Sequence, residues 1–268
     1  MRWSDLGRSK NLEDDRGASG GIGGYGKMGL GGVVVVLLVA LITGQNPLTL
    51  LEGASNTPTA NAPAAPINDQ AEEREVRFVS FVFDTAQQMW SRELPAGGAA
   101  WRDAHLVLFR DAIGTGCGGA SSASGPFYCP ADEKVYIDLG FFDELKSRFG
   151  APGEFAQAYV LAHEIGHHVQ KLRGRVNDAE RGNGASIAVE LQADCYAGAW
   201  AHTAAAEGIV EAGDIESGLA AAAAVGDDRL QRMGGGGVHP ESWTHGSSAQ
   251  RVAAFRRGFA GGNAAACQ

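Results

Sequence analysis

The residues best suited to chemistry lie in one short stretch, Tyr159-Val-Leu-Ala-His163-Glu164-Ile-Gly-His167-His168-Val-Gln170. His163 and His167 stand four apart, so on a helix both imidazoles leave one face and can hold a single divalent cation. Glu164 sits beside that cation without having to ligate it. There a carboxylate can take a proton from water on the metal and hand it to a leaving amine. Helical geometry turns His168 roughly 100° away from the ligand face, which excludes it as a ligand.

A catalytic zinc has three protein ligands and one open position. Candidates for the third ligand are Glu180, Glu190, Asp194, His202 and the histidines near the C-terminus. Glu190-Leu-Gln-Ala-Asp194 fits best, because its two carboxylates share a helical face. One can bind the metal while the other accepts a hydrogen bond from a ligand imidazole and fixes its tautomer. Ala193, Ala197, Gly198 and Ala201 give this second helix a small-residue face for packing on the first. Cys195 follows Asp194 directly and faces another way, and His105, His202 and His239 have no supporting motif.

Apolar spacing predicts the elements that must position these groups. Helices are expected over 74–92, 141–149, 155–172, 187–206, 215–225 and 247–259, and strands over 105–109 and 135–139. Phe127-Tyr-Cys129 and Val135-Tyr-Ile-Asp138, joined by PADEK, read as a hairpin just ahead of the histidine helix. The result is an α+β domain, mostly helical with a small sheet or hairpin, over 74–268.

Before it lies Met28–Thr43, sixteen residues without a charge, which Gly44 extends. This is slightly short of the about 20 residues that usually span a bilayer. A buried core helix and a cleaved signal peptide compete, but the long mixed-sign segment before the run favours a retained transmembrane helix over 28–44. Arg2, Arg8, Lys10, Arg16 and Lys27 precede it, and no Lys or Arg recurs until Arg74. The positive-inside rule therefore places an N-terminal segment, 1–27, in the cytoplasm and the remainder on the far side. Residues 45–73, rich in Pro, Ala, Asn and Thr, read as a flexible spacer. Gly21 to Lys27 has phosphate-loop spacing, but Met28 stands where Ser or Thr would hold magnesium, so it is read as a flexible glycine segment. Twenty-two basic residues against thirty-one acidic ones give a net charge of −9, which argues against nucleic acid as a partner.

HEIGHHVQ followed by ELQADCYAGAW resembles the gluzincins, zinc peptidases in which a glutamate helix completes the site. More narrowly, the chain resembles the bacterial neutral zinc metallopeptidase family. The likeness runs from RWSDLGRSKNLEDDRG to the final cysteine, through SGPFYCPADEKVYIDLGFFDEL, VGDDRLQ and THGSSAQRVAAF. It implies a zincin-like fold and Zn2+ held by His163, His167 and Glu190, with Glu164 as base and Asp194 behind the ligands. In gluzincin-like enzymes an edge strand in the hairpin region pairs with the extended substrate; an ordinary core hairpin is the alternative. His245, just before the last helix, can hydrogen-bond a tetrahedral oxyanion or serve as a structural histidine at a turn. Arg251 is expected to pair with a buried carboxylate.

Outside the cytoplasm thiols tend to oxidise, and Cys117–Cys129 with Cys195–Cys267 is the expected set among three possible pairings. The expected function is a zinc endopeptidase anchored in the bacterial cytoplasmic membrane, with its catalytic domain on the extracytoplasmic side and a peptide or protein as substrate. The alternatives are a non-catalytic zinc-binding envelope protein and a zinc hydrolase acting on cell-wall peptides.

Overall fold

A computed structural model describes residues 1–17, 69–96, 98–175, 183–235 and 237–268. The expected transmembrane helix over 28–44, the glycine segment at 21–27, most of the 45–73 spacer and Glu180 lie outside the described residues. Among the described residues no helix is long and apolar enough to cross a membrane.

The chain order is β1 (Leu12–Asp14), α1 (Asp69–Ala96), β2 (His105–Phe109), β3 (Ala112–Thr115), β4 (Gly118–Ser121), β5 (Phe127–Cys129) and β6 (Lys134–Asp138). Then follow α2 (Gly140–Ser147), α3 (Glu154–Leu172), α4 (Asn183–Ala206), α5 (Asp214–Ala224), α6 (Asp227–Met233) and α7 (Ser248–Gly261). The α+β expectation holds. Ser247 is the N-cap of α7 rather than its first turn, its hydroxyl accepting from Gln250 N in a capping box.

Helix α3 is buried on nearly every side, from Phe155 through Gln170, as expected of an apolar helix at the centre of a domain. Helix α1 lays Val76, Val79, Val82, Phe83, Ala86, Met89 and Trp90 into the same core as a single stripe. A four-stranded sheet lies alongside in the order β1-β2-β6-β5. β1 and β6 run parallel to β2, and β5 runs antiparallel to β6 with Tyr128 opposite Val135. The expected hairpin is therefore present, and β5 forms one edge of the sheet. The β3–β4 hairpin, the short α6 and β1 were not expected from periodicity.

Glycines set how closely the helices approach. A β-carbon at Gly166 of α3 would press on Ala193 of α4, so Ala193 does face the histidine helix. Gly198 does not. A β-carbon there would overlap the Phe255 carbonyl of α7, and one at Gly258 of α7 would overlap the Cys195 carbonyl of α4. Part of the small-residue face of α4 thus serves α7 instead of α3, because the two glycines let α4 and α7 cross backbone to backbone. Both expected disulfides are formed, Cys117–Cys129 and Cys195–Cys267.

Residues 1–17 belong to this same fold, so the body of the domain does not begin at 74. β1 pairs with β2, Leu12 opposite Leu106. Trp3 packs edge-on against Phe78 with ring centroids 5.5 Å apart. Arg16 is buried between Asp14 and Glu72, the last of these on α1. These contacts set a strand, an aromatic ring and buried charges of residues 1–17 against the domain from which a cytoplasmic 1–27 would be separated.

Candidate active site

Helix α3 supplies His163 and His167, and α4 supplies Glu190, as the spacing predicts. One donor atom from each lies within 4.8 Å of the others. His163 Nε2 and His167 Nε2 are 3.1 Å apart, and Glu190 carboxylate oxygens approach them at 3.3 and 3.6 Å. Four-coordinate zinc with bonds of about 2.0–2.1 Å separates its ligand atoms by about 3.3 Å. Each Nε2 thus lies near that spacing from the other and from its own nearer Glu190 oxygen, Oε2 for His163 and Oε1 for His167.

The outer nitrogens explain why the inner ones converge. His163 Nδ1 lies 2.9 Å from Asp194 Oδ1, and His167 Nδ1 lies 2.9 Å from Gln170 Oε1. With an N–H donated outward on each ring, the Nε2 lone pairs face one another and call for a cation between them. Burial opposes charge on His163, but Asp194 and Glu190 outweigh it and raise the His163 pKa to about 10. The Glu190 carboxylate shifts the opposite way: against its burial, the charges of His167, His163 and His245 pull it well below the usual range.

Asp194 is fully buried and fully bonded. Oδ1 accepts from His163, from the Tyr159 hydroxyl and from Arg251 Nη2, and Oδ2 accepts from Arg251 Nε at 2.8 Å. Burial alone would raise its pKa, but Arg251 and His163 prevail and bring it to about 2. Arg251 therefore finds the buried carboxylate expected of it, and that carboxylate is the one behind His163. Glu164 is buried on the same helix, and burial raises its pKa against the nearby imidazoles. That shift suits a group that must both take and return a proton. The Tyr128 N–H of edge strand β5 faces its carboxylate.

His245 lies near enough for its charge to bear on Glu190. Its Nδ1 is 3.1 Å from Asp227 Oδ1, while Asp227 Oδ2 accepts from the backbone N–H groups of Thr244, His245 and Gly246 at 2.9, 2.7 and 2.9 Å. One carboxylate thus holds both the turn and the ring. Burial lowers the His245 pKa, but Asp227 and Glu190 outweigh it, and the net shift is upward.

His168 is no ligand. Its Nε2 donates to the Arg102 carbonyl at 2.7 Å, and its Nδ1 accepts from the Tyr128 hydroxyl at 2.9 Å. Glu164 and His168, four apart, form a stripe facing β5, whereas His163 and His167 form a stripe facing α4. His202 bonds the Phe259 carbonyl, and His239 pairs with Glu241 on the surface. Gln170, Tyr159 and Asp227 were missed as supports. Tyr159 and Gln170 lie four before His163 and three after His167, a spacing that points to them, but Asp227 has no such signal.

The profile of the family described as "Putative neutral zinc metallopeptidase" matches residues 1–268. The chain belongs to this family. Among curated relatives, "Uncharacterized protein YpfJ" of Escherichia coli K12 is 42% identical over 281 aligned positions, covering 100% of this chain and 98% of that protein. "Uncharacterized protein Rv2575" of Mycobacterium tuberculosis H37Rv is 44% identical over 199 positions, 69% of this chain and 67% of that protein. No solved structure matches. Family membership implies zinc, and the His163, His167 and Glu190 cluster has donors that fit it.

Proposed function

We propose that this chain is a zinc-dependent endopeptidase acting on peptides or proteins. The observation that carries the reading is the tetrahedral-edge spacing of the two Nε2 atoms and the Glu190 carboxylate beside a buried Glu164. A zinc ion held there supplies Lewis acidity toward a peptide carbonyl and toward water. The protein's own groups do the rest. Asp194 and Gln170 hold both ligand rings in the tautomer that turns Nε2 inward. Glu164, its basicity raised by burial, takes a proton from the attacking water and returns it to the amine nitrogen as the peptide bond breaks. His245, fixed by Asp227, donates to the developing oxyanion. Edge strand β5 offers its outer side to an extended substrate backbone next to Glu164. The two disulfides favour an oxidising, extracytoplasmic setting, and the uncharged run at 28–44 favours attachment to the cytoplasmic membrane.

Glu164→Gln tests the mechanism. The full chain, screened against a mixed peptide library with and without a chelator, should keep its zinc content and lose cleavage by about 10²–10⁴-fold. Unchanged turnover would exclude the mechanism.

A further inference from the structure

The basic residues that would pin the N-terminus to the cytoplasm are engaged by the fold itself. Arg2 pairs with Glu211 at 2.9 Å and Lys10 with Asp103 at 3.5 Å. Arg8 pairs with Asp14 and Glu73. Arg16 is buried, with Nη2 2.7 Å from Asp14 and Nη1 2.8 Å from Glu72. Of the five basic residues ahead of the apolar run, only Lys27 lies outside the described residues. Arg8 and Arg16 are thereby tied to Glu73 and Glu72 of α1, which fixes them on the domain's own side of any bilayer.

The backbone agrees. β1 completes the sheet through its parallel ladder with β2, the Arg2 N–H donates to the Ile209 carbonyl at 2.8 Å, and the Ser9 hydroxyl donates to Asp84 on α1 at 2.6 Å. The chain leaves the described fold after residue 17 and re-enters at 69, and Arg16 and Glu72 touch across that gap. A single crossing between them would place a hydrocarbon layer of about 30 Å between two groups in hydrogen-bond contact. A second, returning crossing would fall to residues 45–68, whose sequence argues against it. Residues 45–68 carry Glu52 and Pro47, Pro58, Pro63 and Pro66, and each proline removes a backbone donor that a spanning helix needs in lipid.

We propose that residues 1–17 and 69–268 occupy one compartment, so that the apolar run at 28–44 does not carry the chain across a bilayer. The N-terminal segment is then part of the domain that holds the metal ligands, and it travels to whichever side that domain reaches. This holds whether or not the site hydrolyses peptides, so its test is independent of the peptidase reading.

Single-cysteine labelling of the full chain decides it. Ser4→Cys and Ser147→Cys each place a thiol at an exposed position, one in each part, and Leu6→Cys, at a residue 81% exposed, is a second reporter for the N-terminal part. All four native cysteines are disulfide-bonded and remain silent. In spheroplasts given a membrane-impermeant maleimide, the two parts should behave alike, both labelled before lysis or both only after it. Full labelling of one part before lysis with labelling of the other only afterwards would overturn the proposal.

Discussion

Arg251 of α7 holds Asp194 of α4 through two nitrogens, Nε to Oδ2 at 2.8 Å and Nη2 to Oδ1 at 2.9 Å. Both side chains are buried, and the same carboxylate steadies His163. Arg251→Met leaves that carboxylate buried and without its cation, a loss of about 3–5 kcal/mol. Pairing it with Asp194→Asn removes the stranded charge and should restore part of the loss. Chemical denaturation of both variants checks this. Equal stability of Arg251→Met and the parent would show that the pair is not the linchpin of the α4–α7 contact.

Gln170 does for His167 what Asp194 does for His163, but as a neutral amide anchored by the Val189 carbonyl and Gln192. Gln170→Leu removes the acceptor for the His167 N–H and should weaken zinc binding by about 10–100-fold. Competition against a chelating dye measures it, with circular dichroism as the control for folding. Gln170→Glu keeps an acceptor there and should recover most of the affinity.

His245 lies beside Glu190 but outside the three-residue donor cluster, so its loss should separate chemistry from metal binding. His245→Ala is expected to lower kcat by about 10²–10³-fold with zinc content unchanged and KM little altered. Loss of zinc in this variant would instead mark His245 as part of the metal's surroundings.

Glu75 on α1 gives a pH dependence remote from the metal. Burial first, then the charges of Asp143 and Glu72, raises its pKa from 4.5 to about 7. The unfolded chain sheds this proton first as pH rises. The stability tied to protonated Glu75 is therefore complete below pH 4.5 and is lost by the time pH passes 7. Glu75→Gln should match the parent near pH 4 and exceed it at pH 8 by about 1–2 kcal/mol, a figure reduced for the group's partial exposure. Thermal melts across that range test the sign.

Much of the site was legible because its chemistry is written in local spacing. His163, Glu164 and His167 needed only helical periodicity, and Glu190 and Asp194 needed the same rule applied once more. Arg251 was legible as a partner for a buried carboxylate but not as the partner of Asp194, because that pairing depends on Gly198 and Gly258 letting α4 meet α7. Asp227 was invisible for a related reason: it binds backbone N–H groups 17 to 19 residues away, and such contacts leave no period in a sequence. β1 was missed because Leu-Glu-Asp is short and charged, and its strand character comes from β2 beside it.

That last strand bears on how the protein is best produced. A fragment trimmed to residues 74–268 would shed β1 and bare the flank of β2, whose unpaired amides and carbonyls invite strand-to-strand clumping. Since Arg16 and Glu72 touch, the better soluble version keeps residues 1–17 and replaces the stretch between with a short glycine–serine bridge.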